Sequence, residues 1–449
     1  MFNSKKIIDH LLKITTDSKS ESLGSFKELK HGWLQEGILV QLDDAGVEEK
    51  KMLLKEFYQD TFIKNNFPVD YIEHRINRLI SLAFKLHPSE RPQFFHDEIK
   101  KFREDLEKDL KDWIIIVPID NFKLEKKWLI GNVIFYPSDN RNFEKINDLL
   151  KIALKDNPHY SEQEKKVIID QQLDILRKSA NGFTVTFAEV KSRGIIEIAQ
   201  KEAMKKIRMA LNIARLYNLP YDDSNRMYFG ICGEVIRHNL RYTMRREANT
   251  NNLHANIERT GFILPFEFTE KRLQFMKENG YSELETIFAT ETPTDFERRL
   301  LTAIYWYGEA INTGIYFDAK ESLVSGSSDF KNLEYFNVNQ KFLKLMIALE
   351  SILLFDENEP ITTNVAERTA FLLTDKYEDR KKIKQIIKKL YSARSAIVHH
   401  GESSLSPMNL DQLSWIVQNT MFNLIKLIRK IPLNEKKDLQ EYLEKLKLS

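Results

Sequence analysis

After Pro293 the chain abandons strand-like patterning and runs as six successive helical segments, and this constrains its fold more than any other feature. The segments are FERRLLTAIYWYGEAIN, FLKLMIALESILLF, VAERTAFLL, EDRKKIKQIIKKLYSARSAIV, MNLDQLSWIVQNTMFNLIKLIRK and DLQEYLEKLKL. Apolar residues recur at i, i+3 and i+4, the spacing that puts them on one face of a helix. Mostly short polar connections join them, so residues 293–449 are expected to form a helical bundle.

Upstream the texture is mixed. Residues 1–112 read as mostly helical, with one strand at GILVQL, and residues 113–292 as an α+β middle portion. WIIIVP at 113–118 and WLIGNVIFYP at 128–137 are β-branched and aromatic runs that read as two paired strands, and GFTVTFAEV at 182–190 alternates as a third. Further short strands are expected in MYFGICGEVIRH, NLRYTMRR and GFILPFEF. The expected class is therefore α+β: a mixed helix and antiparallel-strand N-terminal and middle region, then an all-α bundle.

With 42% apolar and 30% charged residues, the 449-residue chain has the composition of a globular protein of two or three domains. Lys plus Arg number 68 against 66 Asp plus Glu, a formal balance of +2. Any attraction for a polyanion must then come from local clustering. A lone cysteine, Cys232, fits a reducing compartment, and the cytoplasm is the expected location. No segment has the length of apolar run that a membrane span needs, so no membrane partner is expected.

The P-loop, the dinucleotide-binding glycine pattern, the zincin HExxH, the GxSxG elbow and paired cysteines are all missing from the sequence. The unusual residues lie in the bundle. On a helical wheel, Ile383, Ile386, Ile387, Leu390 and Ile397 form one apolar stripe, and Arg394 falls inside it, about 20° from Ile383. A guanidinium there needs a carboxylate, an anion or the mouth of a cleft. Glu350, in the nearly all-apolar FLKLMIALESILLF, needs a partner for the same reason, and the two are expected to pair. His399 and His400 follow at the helix end, where the dipole favours cations, and Gly401 is a suitable left-handed cap. Between residues 376 and 394 eight Lys or Arg face only Glu378 and Asp379, a local excess of six. Lys381, Lys382, Lys384, Lys388 and Lys389 of that run are candidate contacts to a phosphate backbone. Tyr305, Trp306 and Tyr307 read as core rather than as a stacking platform. Asp222 and Asp223 read as a turn, and His159, His238 and His254 lack metal-ligand spacing.

The string KKLYSARSAIVHHG, with four residues between Arg394 and His399, resembles the R-x(4 to 6)-H motif of the HEPN superfamily. With ALESILL upstream and VAERTAFLL between, residues 295–432 are similar to the ApeA-like branch found among bacterial antiphage and abortive-infection proteins. The resemblance implies a HEPN bundle that forms a homodimer and sets two Arg-His motifs around one cleft that cuts RNA, with no metal and no cofactor. Arg394 would then hold the scissile phosphate, and His399 would transfer a proton, leaving 2′,3′-cyclic phosphate and 5′-hydroxyl ends. His400 also satisfies the spacing. Ser395 stands where catalytic members often carry Asn, Asp or His. By analogy, residues 1–292 would respond to a phage-derived or nucleic-acid trigger. Two other readings remain: a non-catalytic dimerisation and RNA-binding module, and an interaction protein with a buried Glu350–Arg394 pair.

Overall fold

The computed structural model describes residues 3–17, 19–21, 32–36, 38–120, 122–137, 144, 147–148, 150–151, 154–155, 160–180, 185–219, 229–231, 240–246, 253–259, 266–313, 328–356, 358–401 and 405–448. Cys232, His159, His238, Asp222 and Asp223 lie outside them. By packing, the chain forms two compact units, residues 1–115 with 191–204, and residues 116–190 with 205–449. The 113–292 segment marked out on the sequence contributes to both.

The first unit holds helices α1 (Ser4–Asp17), α2 (Asp44–Phe57), α3 (Thr61–Asn66), α4 (Val69–Ala83) and α5 (Arg91–Asp109). Strands β1 (Lys19–Glu21), β2 (Gly32–Gln35) and β3 (Ile38–Gln41) form an antiparallel sheet in the order β1-β3-β2. Ile7, Leu11, Leu53, Phe57, Ile76 and Phe95 are completely buried in its core. Asp43 and Asp60 start α2 and α3 by accepting a backbone N–H with their carboxylates. Trp33 fastens β2 to α4, its indole N–H donating to Ser81 Oγ at 3.0 Å.

Five strands form one sheet in the order β6-β7-β8-β4-β9: β4 (Lys111–Asp120), β6 (Trp128–Ile130), β7 (Val133–Tyr136), β8 (Val185–Gly194) and β9 (Gly230–Ile231). β5 (Phe122–Lys123) pairs in parallel with β12 (Phe266–Glu267), and β10 (Leu240–Arg246) pairs antiparallel with β11 (Leu253–Arg259), which holds His254. The run at 128–137 is a hairpin instead of one strand: Ile130 faces Val133 across a two-residue turn, and Gly131 supplies the positive φ of 52°. β4 therefore does not pair with it; its neighbours are β8 and β9. Phe122, Phe135, Phe229 and Phe266 close the core beside the sheet, with the Phe122 and Phe266 rings stacked at 5.3 Å.

Helices α6 (Glu162–Ala180), α7 (Ile196–Leu216), α8 (Glu270–Glu278) and α9 (Tyr281–Ala289) precede the bundle. The six expected bundle helices form: α10 (Asp295–Asn312), α11 (Ser328–Leu353), α12 (Ile361–Leu373), α13 (Tyr377–His400), α14 (Pro407–Ile428) and α15 (Lys436–Leu448). The class is α+β, with a C-terminal helical region. Local chemistry sets the helix starts: Thr294 with Glu297, and Ser406 with Asn409, form reciprocal caps. α14 is the central helix, packed against α10, α11 and α12. Gln418 on it donates to the carbonyls of Leu216 at 2.7 Å and Asn218 at 2.9 Å. Gly308 lets α10 approach α7, since a Cβ there would run into the Asn212 side chain.

Candidate active site

Two helices bring the unusual charges together. α11 presents Glu350 and α13 presents Arg394, with Nε 3.3 Å from Oε1 and Nη2 donating to Oε2 at 3.4 Å. These are long separations for a charge-assisted pair, whose ordinary range is about 2.7–2.9 Å. The arginine side chain keeps 34% of its surface open, whereas the glutamate keeps 14%. Arg394 thus stands at the edge of the apolar stripe, reachable from solvent.

Two neighbours escape the sequence argument. Tyr391, one turn before Arg394, is buried with its hydroxyl. Burial first, and then the charge and hydrogen-bonding of Glu350, push its phenol well up, with Arg394 opposing. Val398, one turn after Arg394, is 54% exposed, so the apolar stripe continues past the point where the bundle covers it. The one sequence signal for either residue is spacing, because i−3 and i+4 put both on the face of Arg394.

A second ion pair holds the Glu350 helix in place. Just beyond the end of α11, Glu359 takes Arg368 of α12 in a two-pronged pair, both contacts at 2.7 Å. Arg368 also donates to the Leu353 carbonyl at 2.6 Å and stacks on Phe355 at 4.0 Å. Glu359 accepts from the Phe355 N–H at 2.7 Å and from Asn364 at 2.8 Å. Burial would raise the Glu359 carboxyl, but Arg368 and these donors hold it down to about 2.

α13 ends as its sequence requires: Gly401 adopts φ 69° and its N–H returns to the Ile397 carbonyl at 3.0 Å. His399 and His400 are exposed on the last turn, their rings 6.4 Å apart. Five residues of helix place His399 about 140° around from Arg394. Among the described residues of one chain, no hydrogen bond joins Arg394 to either imidazole. Ser395 is exposed beside them.

The lysine run divides. Lys384 lies 3.4 Å from Glu367, which also binds Lys447 at 3.3 Å, and Lys382 lies 3.5 Å from Asp379. Lys381, Lys388 and Lys389 stand exposed with no ion-pair partner among the described residues. Lys381, Gln385, Lys388, Ser392, Ser395 and His399, alternately four and three residues apart, form one exposed polar track along α13. Of the aromatic trio on α10, Tyr307 is buried beside Ser414, Trp306 is half-buried and Tyr305 is exposed.

Among the described residues, no cluster of three or more His, Cys, Asp or Glu could hold a metal ion, and no helix is long and apolar enough to cross a membrane. Compared with protein-family models, curated proteins and solved structures, the chain matches none.

Proposed function

We propose that this chain is a HEPN-type endoribonuclease that acts in the cytoplasm as a homodimer, in an antiphage or abortive-infection role. The observation that supports it best is the state of Arg394: drawn into a bundle by Glu350, yet loosely paired and one-third exposed. A structural arginine is better served by the close two-pronged geometry that Arg368 finds in the same bundle. Arg394 is instead free enough to grip a phosphate, and the exposed track from Lys381 to His399, on another face of the same helix, offers a path for the RNA backbone.

In this reading Arg394 binds the scissile phosphate and stabilises its transition-state charge. His399 or His400 moves the proton at the ribose 2′-hydroxyl or the leaving oxygen, giving a 2′,3′-cyclic phosphate and a 5′-hydroxyl. The resemblance implies that no metal takes part. Because Arg394 and His399 diverge around α13, two copies complete the cleft, each arginine facing the partner's motif. Residues 1–292 are assigned the response to a phage-derived or nucleic-acid trigger.

The test is to incubate the purified protein with total RNA in chelator beside Arg394→Ala and His399→Ala. Cleavage lost in both supports the assignment; unchanged cleavage in both removes it. The divergence of Arg394 from the imidazoles also favours a second reading, a dimer that grips RNA without cutting it. Such a protein would show salt-dependent RNA retention and no products.

A further inference from the structure

The surroundings of the Glu350–Arg394 pair contain more unmet hydrogen-bonding capacity than a finished structural pair would. Glu350 Oε1 and Arg394 Nε are buried and face each other at 3.3 Å without hydrogen-bond alignment, and the buried Tyr391 hydroxyl has no aligned partner either. Native interiors satisfy nearly all such groups, so a misaligned pair beside an unaligned hydroxyl calls for an explanation. When Arg394 turns outward to a phosphate, Glu350 is left as a buried carboxylate without its counter-ion, a strongly unfavourable state. The Tyr391 hydroxyl lies within electrostatic and hydrogen-bonding reach of that carboxylate but makes no aligned bond to it while Arg394 is paired there.

We propose that Tyr391 is a positioning residue: its hydroxyl donates to Glu350 as Arg394 exchanges the carboxylate for an RNA phosphate, and so makes the exchange favourable. This rests on Arg394 being the phosphate-binding arginine. Glu350 then competes with the phosphate for Arg394, and Tyr391 weakens the competitor. A free phosphodiester is bound by the same exchange, before any bond is cut.

The experiment measures binding of a 2′-O-methyl RNA oligonucleotide, which cannot be cleaved, to the full-length protein carrying Tyr391→Phe, Glu350→Gln, both, or Arg394→Ala. Tyr391→Phe removes only a hydroxyl and is expected to leave the melting temperature near wild type. It should weaken binding about tenfold, the order of one hydrogen bond to a charged group. In the Glu350→Gln background, where no charge is left behind, the same substitution should change binding less than twofold. Wild-type affinity in Tyr391→Phe, or an equal loss in both backgrounds, overturns the role of Tyr391. Wild-type affinity in Arg394→Ala overturns the phosphate-binding reading beneath it, so the two failures are distinguishable.

Discussion

Replacing Arg368 with Ala removes the clamp that follows α11 and leaves Glu359, its side chain only 10% exposed, with no counter-ion. Breaking one side of a buried pair costs about 3–5 kcal/mol. The depression of the Glu359 carboxyl, to which the Phe355 N–H and Asn364 also contribute, gives an upper figure. The carboxyl falls from 4.5 to about 2, and at about 1.4 kcal/mol per pH unit this is about 3 kcal/mol. The sign follows from the direction: a carboxyl depressed in the folded state stabilises fully above its unfolded pKa. That contribution fades as pH falls from 4.5 toward about 2. Urea unfolding of wild type and Arg368→Ala should therefore differ by about 3 kcal/mol at neutral pH. The difference should shrink by about 2 kcal/mol at pH 3. Arg368→Met, which retains packing on Phe355 but no charge, should follow the same pH trend. A cost below about 1 kcal/mol at neutral pH, or one equally large at pH 3, would refute the assignment of a charged clamp.

Arg394→Ala should behave differently, lowering stability by only about 1 kcal/mol, because its pair is long and partly solvated; a loss of 3 kcal/mol or more in the same assay would make it structural. Converting Lys381, Lys388 and Lys389 to Gln should reduce the salt dependence of single-stranded RNA binding by about 2 in the log-log slope. Converting the paired Lys382 and Lys384 should move it much less, and filter binding across a salt series separates the two sets. Gly401→Ala, at φ 69° with open space around it, should cost about 1 kcal/mol for backbone conformation alone. Gly308→Ala, which drives a methyl into Asn212, should cost about 1–3 kcal/mol in thermal unfolding.

Local chemistry made much of this structure readable in the sequence. The bundle helices follow from periodicity, α13 ends at the glycine that its dihedrals require, and Glu350 meets Arg394 because each was a charge stranded on an apolar face. Non-local pairing was not readable. Nothing near Phe122 announces a parallel partner 144 residues later at Phe266, and the Gly131-Asn132 turn was hidden inside an apparently continuous strand. Lys384 looked like its exposed neighbours because its partner, Glu367, lies on a different helix. The site was half readable for the same reason: charges on one helix can be placed by counting. Whether Tyr391 reaches Glu350, and which lysines are occupied, depends on how two helices cross.

The bonds from Gln418 to Leu216 and Asn218 span 202 and 200 residues, and this orders events during synthesis. A chain leaves the ribosome N-terminal end first. The two carbonyls are made about 200 residues before their donor. A nascent chain halted before Pro407 already carries Arg394 and both histidines but lacks α14, against which α11 and α12 pack. The motif is thus translated before its frame. Glu350 is set against Arg394 within a closed bundle only once α14 has emerged.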